Sequence, residues 1–413
     1  TFCFNGGPGS SSVWLHMGCL GPKIIVHKDL EYTTPPGTYK DNPFTLLTET
    51  DLVFVDPVST GFSHPADGID AKTFHGFDED INSIAEFVRL FITRFNLWNA
   101  PKYLIGESYG TVRVVGLAER LQDDYFINCN GIILISSALD FTTMDESNLG
   151  NDLCYILSLP SYSAAAWYHK KTAPQYLNKK LQEFLAEVEE FTLHEYAQSL
   201  LLGDKLDTDQ KQKLIEKLSN YIGIPQEVIA RYHLRIPPGL FLKEFLRSKK
   251  QILGRYDARW TGFDRDLPSD YPTYDPSLFS VASIFTNALQ DYMQRGLNLK
   301  KDNRYYILGN KVQPWNWAPK NLPAGLGYLS VADSLRGTIV RNPKLKIFVA
   351  SGYFDHATPY FSTDYTLDHL QLPPLLRNNI EQHYYEGGHM MYLNPQVLLQ
   401  LNKELTAFYH ESK

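Results

Sequence analysis

The sequence predicts an α/β fold: a central, mostly parallel sheet with helices on its faces and a helical insertion in mid-chain. Three observations carry this. Short β-branched or aromatic runs alternate with helical patterns toward both ends of the chain, as right-handed strand–helix–strand crossovers require. The strongest run, Gly131-Ile-Ile-Leu-Ile-Ser136, is continuously apolar, which suits a parallel strand covered on both faces. From about Asp140 to about Arg336 the pattern becomes helical and loop-like.

In chain order, the strand runs are Thr1–Phe4, Leu52–Val55, Tyr103–Ile105, Ile132–Ile135, Leu345–Val349 and Ile380–Tyr385. Phe77–Phe95 reads as a helix with Ile81, Ile84, Ala85, Val88 and Phe91/Ile92 on one face, and Val112–Leu121 as a second helix. The segment between Asp152 and Lys170 lacks Lys, Arg, Asp and Glu. It holds Pro160 and an Ala/Ser-rich centre, too short and weakly apolar for a membrane span of about 20 residues, so it reads as a buried loop and helix. Leu177, Leu181, Phe184, Leu185, Val188 and Phe191 recur at helical spacing, Gly203 stops that region, and Thr208 caps a helix over Asp209–Tyr221. Two long loops, Phe263–Pro276 and Gln313–Gly327, interrupt the middle region, and loops of that length are often functional. The expected division is a core over 1–139 and 337–413, with the insertion over 140–336.

Composition narrows the function. With 413 residues, 43% hydrophobic and 21% charged, the chain is an ordinary globular one rather than a disordered one. Its formal charge of −7, with no long basic run, disfavours nucleic acid or an anionic lipid surface as partner. An aromatic content of 13% favours a concave apolar site. Cys3, Cys19, Cys129 and Cys154 are scattered without a C-x-x-C pair, and no H-E-x-x-H cluster points to a metal, so no cofactor is expected. The sequence contains neither a signal-peptide pattern nor an N-x-[ST] sequon, and it gives no indication of oligomeric state.

Chemistry concentrates in three segments. Gly106-Glu107-Ser108-Tyr109-Gly110 lies between a strand run and a helix, the context of a nucleophile elbow. A chance G-x-S-x-G turns up in about one such chain in ten, so the strand–turn–helix setting carries the weight. Asn5-Gly6-Gly7-Pro8-Gly9-Ser10-Ser11-Ser12 ends the first strand run. A glycine-rich loop there can supply one of the two backbone N–H donors that stabilise an oxyanion, the other coming from Tyr109. A plain Gly-Pro turn is the bland alternative, and a phosphate loop is discounted because no G-x-x-x-x-G-K-[ST] is present. Downstream, Asp355 and His389 each follow a late strand run, which puts them at the same sheet edge as Ser108 and in the order Ser, Asp, His expected of an α/β-hydrolase. His356, beside Asp355, reads as a neighbour rather than a base.

With these residues placed, the chain resembles the serine carboxypeptidases of the S10 peptidase family, and within it the bacterial branch. Asn5-Gly-Gly-Pro-Gly-Ser-Ser-Ser12 resembles the family's N-G-G-P-G-[CS]-S-S box. Asp56-Pro-Val-Ser-Thr-Gly61-Phe62-Ser63 is similar to its D-x-P-x-x-x-G-F-S stretch with one residue fewer, and Gly106–Gly110 and Gly388-His389-Met390 match its nucleophile and histidine boxes. The resemblance implies an α/β-hydrolase fold with a helical cap, and removal of single residues from peptide C-termini. It further implies Ser108 as nucleophile, His389 as general base, Asp355 as its orienting carboxylate, and Gly7 and Tyr109 as oxyanion donors. Asn5, Gly6 and Glu107 match the positions that bind the substrate α-carboxylate. A carboxyl group receiving a carboxylate must be protonated, which implies an acidic optimum. Met390, Trp315 and Trp317 are expected to shape the side-chain pockets. A periplasmic or secreted location follows from the same resemblance.

Departures qualify these expectations. Cys3 stands where the family carries Trp, Cys19 where many members carry a Glu that partners the recognition Glu, and Ser10 replaces the cysteine of a usual disulfide. The six strand runs match the third to eighth strands of the fold, with no counterpart of the first two edge strands. The sequence is therefore expected to be an amino-terminally truncated fragment, poorly soluble when expressed alone because of its unpaired sheet edge. Two rival functions keep the scaffold: an acyltransferase or esterase, which the substitutions at Cys3 and Cys19 leave room for, and a non-catalytic binding protein, which the presence of Ser108, Asp355 and His389 opposes.

Overall fold

A computed structural model describes residues 1–318 and 328–412. Its strands, in chain order, are β1 (Phe2–Phe4), β2 (Lys23–Val26), β3 (Thr38–Asp41), β4 (Val53–Phe54), β5 (Tyr103–Ser108), β6 (Gly131–Ser137), β7 (Gln251–Leu253), β8 (Thr261–Phe263), β9 (Lys346–Gly352) and β10 (Ile380–Tyr385). All six β-branched or aromatic runs read from the sequence become strands of one sheet, in the order β10-β9-β6-β5-β1-β4. Every neighbouring pair is parallel, with Cys3 opposite both Phe54 and Ile105. β6 is buried along its whole length, as its unbroken apolar run requires of a strand covered on both sides.

The two-residue alternation of the strands divides the core. Leu104, Ile132, Leu134, Ile347 and Val349 face a cluster that includes Ile81 and Val88 of the helix Phe77–Arg94 and Leu117 of the helix Tyr109–Tyr125. Ile105, Ile133, Ile135, Phe348 and Ala350 face the other cluster, with Phe285 of the helix Pro276–Asp291 and Leu405 of the helix Pro395–Glu411. A third core, from Ile156 to Ala258 with Phe354 and Tyr360, is built by the helices between β6 and β9. The segment 140–336 contributes to more than one core. Its helix Pro276–Asp291 lies in the second core, and its helix Ala332–Arg341 packs on Tyr109–Tyr125.

Several elements differ from expectation. The helix after Ser108 begins at Tyr109, not at Val112. Asp152–Lys170 is one buried helix, Leu153–Tyr168, running through Pro160. Asp207, not Thr208, caps Thr208–Ile222, accepting from Asp209 N at 2.9 Å and Gln210 N at 3.2 Å. Leu177 is exposed and precedes the helix Leu181–Phe191. The hairpins β2–β3 and β7–β8 have no forerunner in the strand runs: their strands are only three or four residues long, and Thr38-Tyr-Lys-Asp41 is also polar and largely exposed. Residues 319–327 of the loop Gln313–Gly327 lie outside the described residues. Cys3, Cys19, Cys129 and Cys154 are buried and unpaired. No helix among the described residues is long and apolar enough to cross a membrane.

Candidate active site

β5 runs straight into the helix Tyr109–Tyr125 through Ser108, which sits at φ 59°, ψ −130°. This is a costly backbone for a residue with a Cβ, and it aims the side chain off the carboxyl edge of the sheet. Tight packing holds the turn. A Cβ on Gly110 would stand 2.6 Å from Phe4 O, so only glycine lets the turn pass under β1. Thr111 Oγ1 donates to Ser108 O at 2.6 Å and accepts from Ala138 N at 3.0 Å, pinning the turn to the end of β6.

The glycine-rich loop after β1 crosses the same point. A Cβ on Gly6 would lie 2.5 Å from Tyr109 N, so the loop backbone presses on the start of the helix. Tyr109 is the first helical residue, and its N–H has no intrahelical acceptor. Buried polar side chains fix the loop. Arg113 Nη1 donates to Asn5 O at 2.6 Å while its Nε pairs with Asp80 Oδ2 at 2.7 Å, with both side chains almost fully buried. Asp56 Oδ1 accepts from both Ser12 N and Ser12 Oγ at 2.8 Å, which explains why the stretch from Asp56 to Ser63 accompanies the glycine box. Trp14 Nε1 donates to Ser10 Oγ at 2.8 Å, so Ser10 has a structural use.

The loops after β9 and β10 bring a carboxylate to an imidazole. Asp355 Oδ2 lies 2.7 Å from His389 Nδ1, and both side chains are buried. The Thr358 hydroxyl donates to the same Asp355 oxygen at 2.7 Å and stands 3.2 Å from His389 Nδ1. Asp355 Oδ1 accepts from Ala357 N at 2.7 Å and Thr358 N at 3.0 Å. Burial opposes the charge on Asp355, but the imidazole and these donors outweigh it and hold its pKa below the usual carboxylate value. For His389, burial again works against the cation and Asp355 overcomes it, so its pKa lies above that of free histidine. Ser136 Oγ donates to His389 O at 2.7 Å, His389 N donates to Tyr256 O at 2.5 Å, and the Tyr256 ring stacks on the imidazole at 4.6 Å. Nε2 is buried without a hydrogen-bond partner, so the Ser108 hydroxyl does not close on it in this structure. Free active sites often show such open contacts.

Glu107 lies behind this group, 3% exposed. Burial, as the largest influence, raises its pKa to about 7, against the pull of His389 and of the Tyr392 hydroxyl, which donates to Oε2 at 2.6 Å. The Asn5 amide adjoins Glu107 and favours its charge, although Asn5 Nδ2 lacks a well-formed hydrogen bond and Asn5 Oδ1 is taken by Leu15 N. Cys19 is close enough for Glu107 to help raise its thiol pKa, second to burial.

A cavity of about 620 Å³ opens beside Ser108, with Gly7 and Tyr109 in its wall together with Phe141, Leu242 and Tyr271. Met390, Trp315 and Trp317 do not line it. Met390 packs into the second core. Trp315 and Trp317 stand edge-on to Tyr109 at 5.5 and 5.8 Å, supporting it from outside the cavity. Thr358, Tyr392 and Tyr256 escaped the sequence reading. Only Thr358 had a local signal, three residues after Asp355 in an Asp-x-x-Thr turn.

Comparison with known proteins points to a family. Residues 1–397 match the family model described as serine carboxypeptidase. A curated serine carboxypeptidase-like 32 from Arabidopsis thaliana is 24% identical over 89% of the chain and 70% of its own length. A carboxypeptidase Y homolog from Arthroderma benhamiae is 29% identical over 34% of the chain, an alignment spanning only 27% of that relative. Among solved structures, Kex1(Δ)p, a prohormone-processing carboxypeptidase from Saccharomyces cerevisiae, superposes with a TM-score of 0.58. It covers 99% of this chain and 82% of its own at 15% identity, and so supports the fold.

Proposed function

The chain belongs to the serine carboxypeptidase family, and from that membership we propose that it hydrolyses the C-terminal bond of peptides through an acyl-enzyme on Ser108. The observation that carries the reading is the buried His389–Asp355 pair at 2.7 Å, delivered to the sheet edge at which Ser108 projects. In the proposed cycle His389 Nε2 takes the Ser108 proton as the hydroxyl attacks the scissile carbonyl, and the N–H groups of Gly7 and Tyr109 receive the oxyanion. His389 then protonates the leaving amine, and water repeats the sequence on the ester. Asp355 keeps the imidazole in the tautomer that leaves Nε2 free and stabilises the imidazolium.

Asn5, Gly6 and Glu107 are the proposed receptors of the substrate α-carboxylate. A Glu107 that titrates near pH 7 is protonated across the acidic range, which supports a preference for acidic to neutral pH. A secreted or periplasmic site of action belongs to the same reading. The substitution at Cys19 favours one alternative, transfer to an alcohol or ester hydrolysis, because Glu107 has a thiol beside it rather than a second carboxyl.

The test combines two measurements. A fluorophosphonate should label the protein at Ser108 and fail on Ser108→Ala. Blocked dipeptides with a free C-terminus should be cleaved at least tenfold faster than their amides, the loss expected when an interaction with a charged group is removed. Equal rates on acid and amide would remove the carboxypeptidase reading, and absence of labelling would remove the hydrolase itself.

A further inference from the structure

The cavity beside Ser108 contains a carboxylate without a counter-charge. Glu146 lines it, and no ion pair or hydrogen bond to that carboxylate occurs among the described residues. The influences on it are burial and the adjacent Asp145 carboxylate, and both oppose its charge. Asp145 is itself satisfied, accepting from Ser147 Oγ and Tyr328 OH at 2.7 Å. Arg255 is the cation in the cavity wall, but it stands toward the histidines, where its charge disfavours protonation of His356 and His389. Asp275, the third carboxylate in the wall, accepts from Arg255 N and Tyr256 N at 3.1 Å, so among the described residues Glu146 is the wall carboxylate left without a donor.

A second group there also lacks a partner. His356 is 4% exposed, lies flat between Tyr162 at 5.5 Å and Phe241 at 5.3 Å, and lines the cavity with neither ring nitrogen in a well-formed hydrogen bond, although the Ser161 backbone is near enough to favour its charge. Burial lowers its pKa to about 4, so near neutral pH it is an uncharged imidazole with an acceptor to offer. Buried polar groups are nearly always satisfied, and exceptions gather where a ligand completes them. Phe141, Met144 and Leu242 add apolar wall to the same cavity. A long side chain with an apolar stem and a cationic head matches that combination of surfaces.

The occupant follows from the proposed mechanism, on which this inference rests. The scissile carbonyl must place its carbon at Ser108 and its oxygen at the Gly7 and Tyr109 amides. The side chain of the residue that becomes the acyl group then enters the cavity those three residues line. Glu107 and Asn5, the proposed receptors of the leaving residue's carboxylate, are not in its wall. We propose that Glu146, assisted by Asp145 and His356, forms a subsite for a lysine or arginine side chain on the penultimate residue of the substrate.

The test uses blocked dipeptides with a common C-terminal residue and lysine, arginine, norleucine or glutamate before it. The wild-type protein should favour lysine and arginine over norleucine by about tenfold in kcat/KM, a margin that shrinks as salt is added. Glu146→Gln should bring that ratio to near one, and Glu146→Lys should shift the preference to glutamate. Each ratio is taken within one preparation, so a loss of folded protein cancels. Cleavage of all four without the preference, or a preference that survives Glu146→Gln, overturns this subsite and leaves the carboxypeptidase reading intact. Failure to cleave any of them overturns that reading, and the subsite with it.

Discussion

Thr358 carries more of the site than its position in the sequence announces. Its hydroxyl donates to Asp355 Oδ2 at 2.7 Å, the same oxygen that holds His389 Nδ1, and its backbone N–H holds Oδ1 at 3.0 Å. Thr358→Val keeps the shape and the backbone contact but leaves a buried carboxylate one donor short. Hydrogen bonds to charged groups contribute roughly 1.5–3 kcal/mol, so kcat/KM should fall about tenfold or more. Thr358→Ser should recover most of it. Rates on a blocked dipeptide for the three proteins check this, and a valine variant as active as the wild type would reduce Thr358 to packing. Glu107 and Tyr392 show the same dependence on partners. Glu107 was legible from its place beside Ser108, but the phenol donating to it lies 285 positions away, and no local pattern brings the two together.

At the scale of elements, the legible features were those whose signal is local. Six β-branched or aromatic runs gave six strands in one sheet, most clearly Gly131–Ser137, where burial on both faces demands apolarity along the run, and the Ser108 turn is encoded by the residues that form it. Its helix begins three residues before the expected Val112, because tertiary contacts to Phe4 and Ala138 extend it back to the nucleophile. The ion pair of Arg113 with Asp80 was invisible for a related reason: the two residues lie 33 positions apart and each segment alone is unremarkable. That pair joins the helices Phe77–Arg94 and Tyr109–Tyr125 and extends to the Asn5 carbonyl, so it positions the glycine loop. Asp80→Ala strands a buried guanidinium and should destabilise the protein by about 3–5 kcal/mol. The double variant Asp80→Ala/Arg113→Met, with no charge left to satisfy, should recover a large part of that in denaturant unfolding. A double variant no more stable than Asp80→Ala would place the cost in packing instead.

For the molecule as a whole, buried titratable groups of both signs set the dependence of stability on pH. Burial raises Glu107 from 4.5 to about 7, and likewise raises Asp364 to about 7. Between the unfolded and folded values the native state binds the extra proton, so each acid makes stability fall as pH rises through that window. His16 and His356 act in the opposite sense. Burial lowers both to about 4, so the unfolded state binds the extra proton between there and 6.5, and stability rises with pH. These opposed slopes should leave the wild-type protein with a shallow profile between pH 4.5 and 6.5. Glu107→Gln removes one falling contribution, so its stability relative to wild type should climb by about 3 kcal/mol from pH 4.5 to above 7, the free-energy equivalent of the Glu107 shift. Urea unfolding of both proteins at three pH values across this range measures the difference directly. A constant difference would mean that Glu107 titrates normally in the folded protein, and the proposed role of a protonated Glu107 in holding the substrate carboxylate would fail with it.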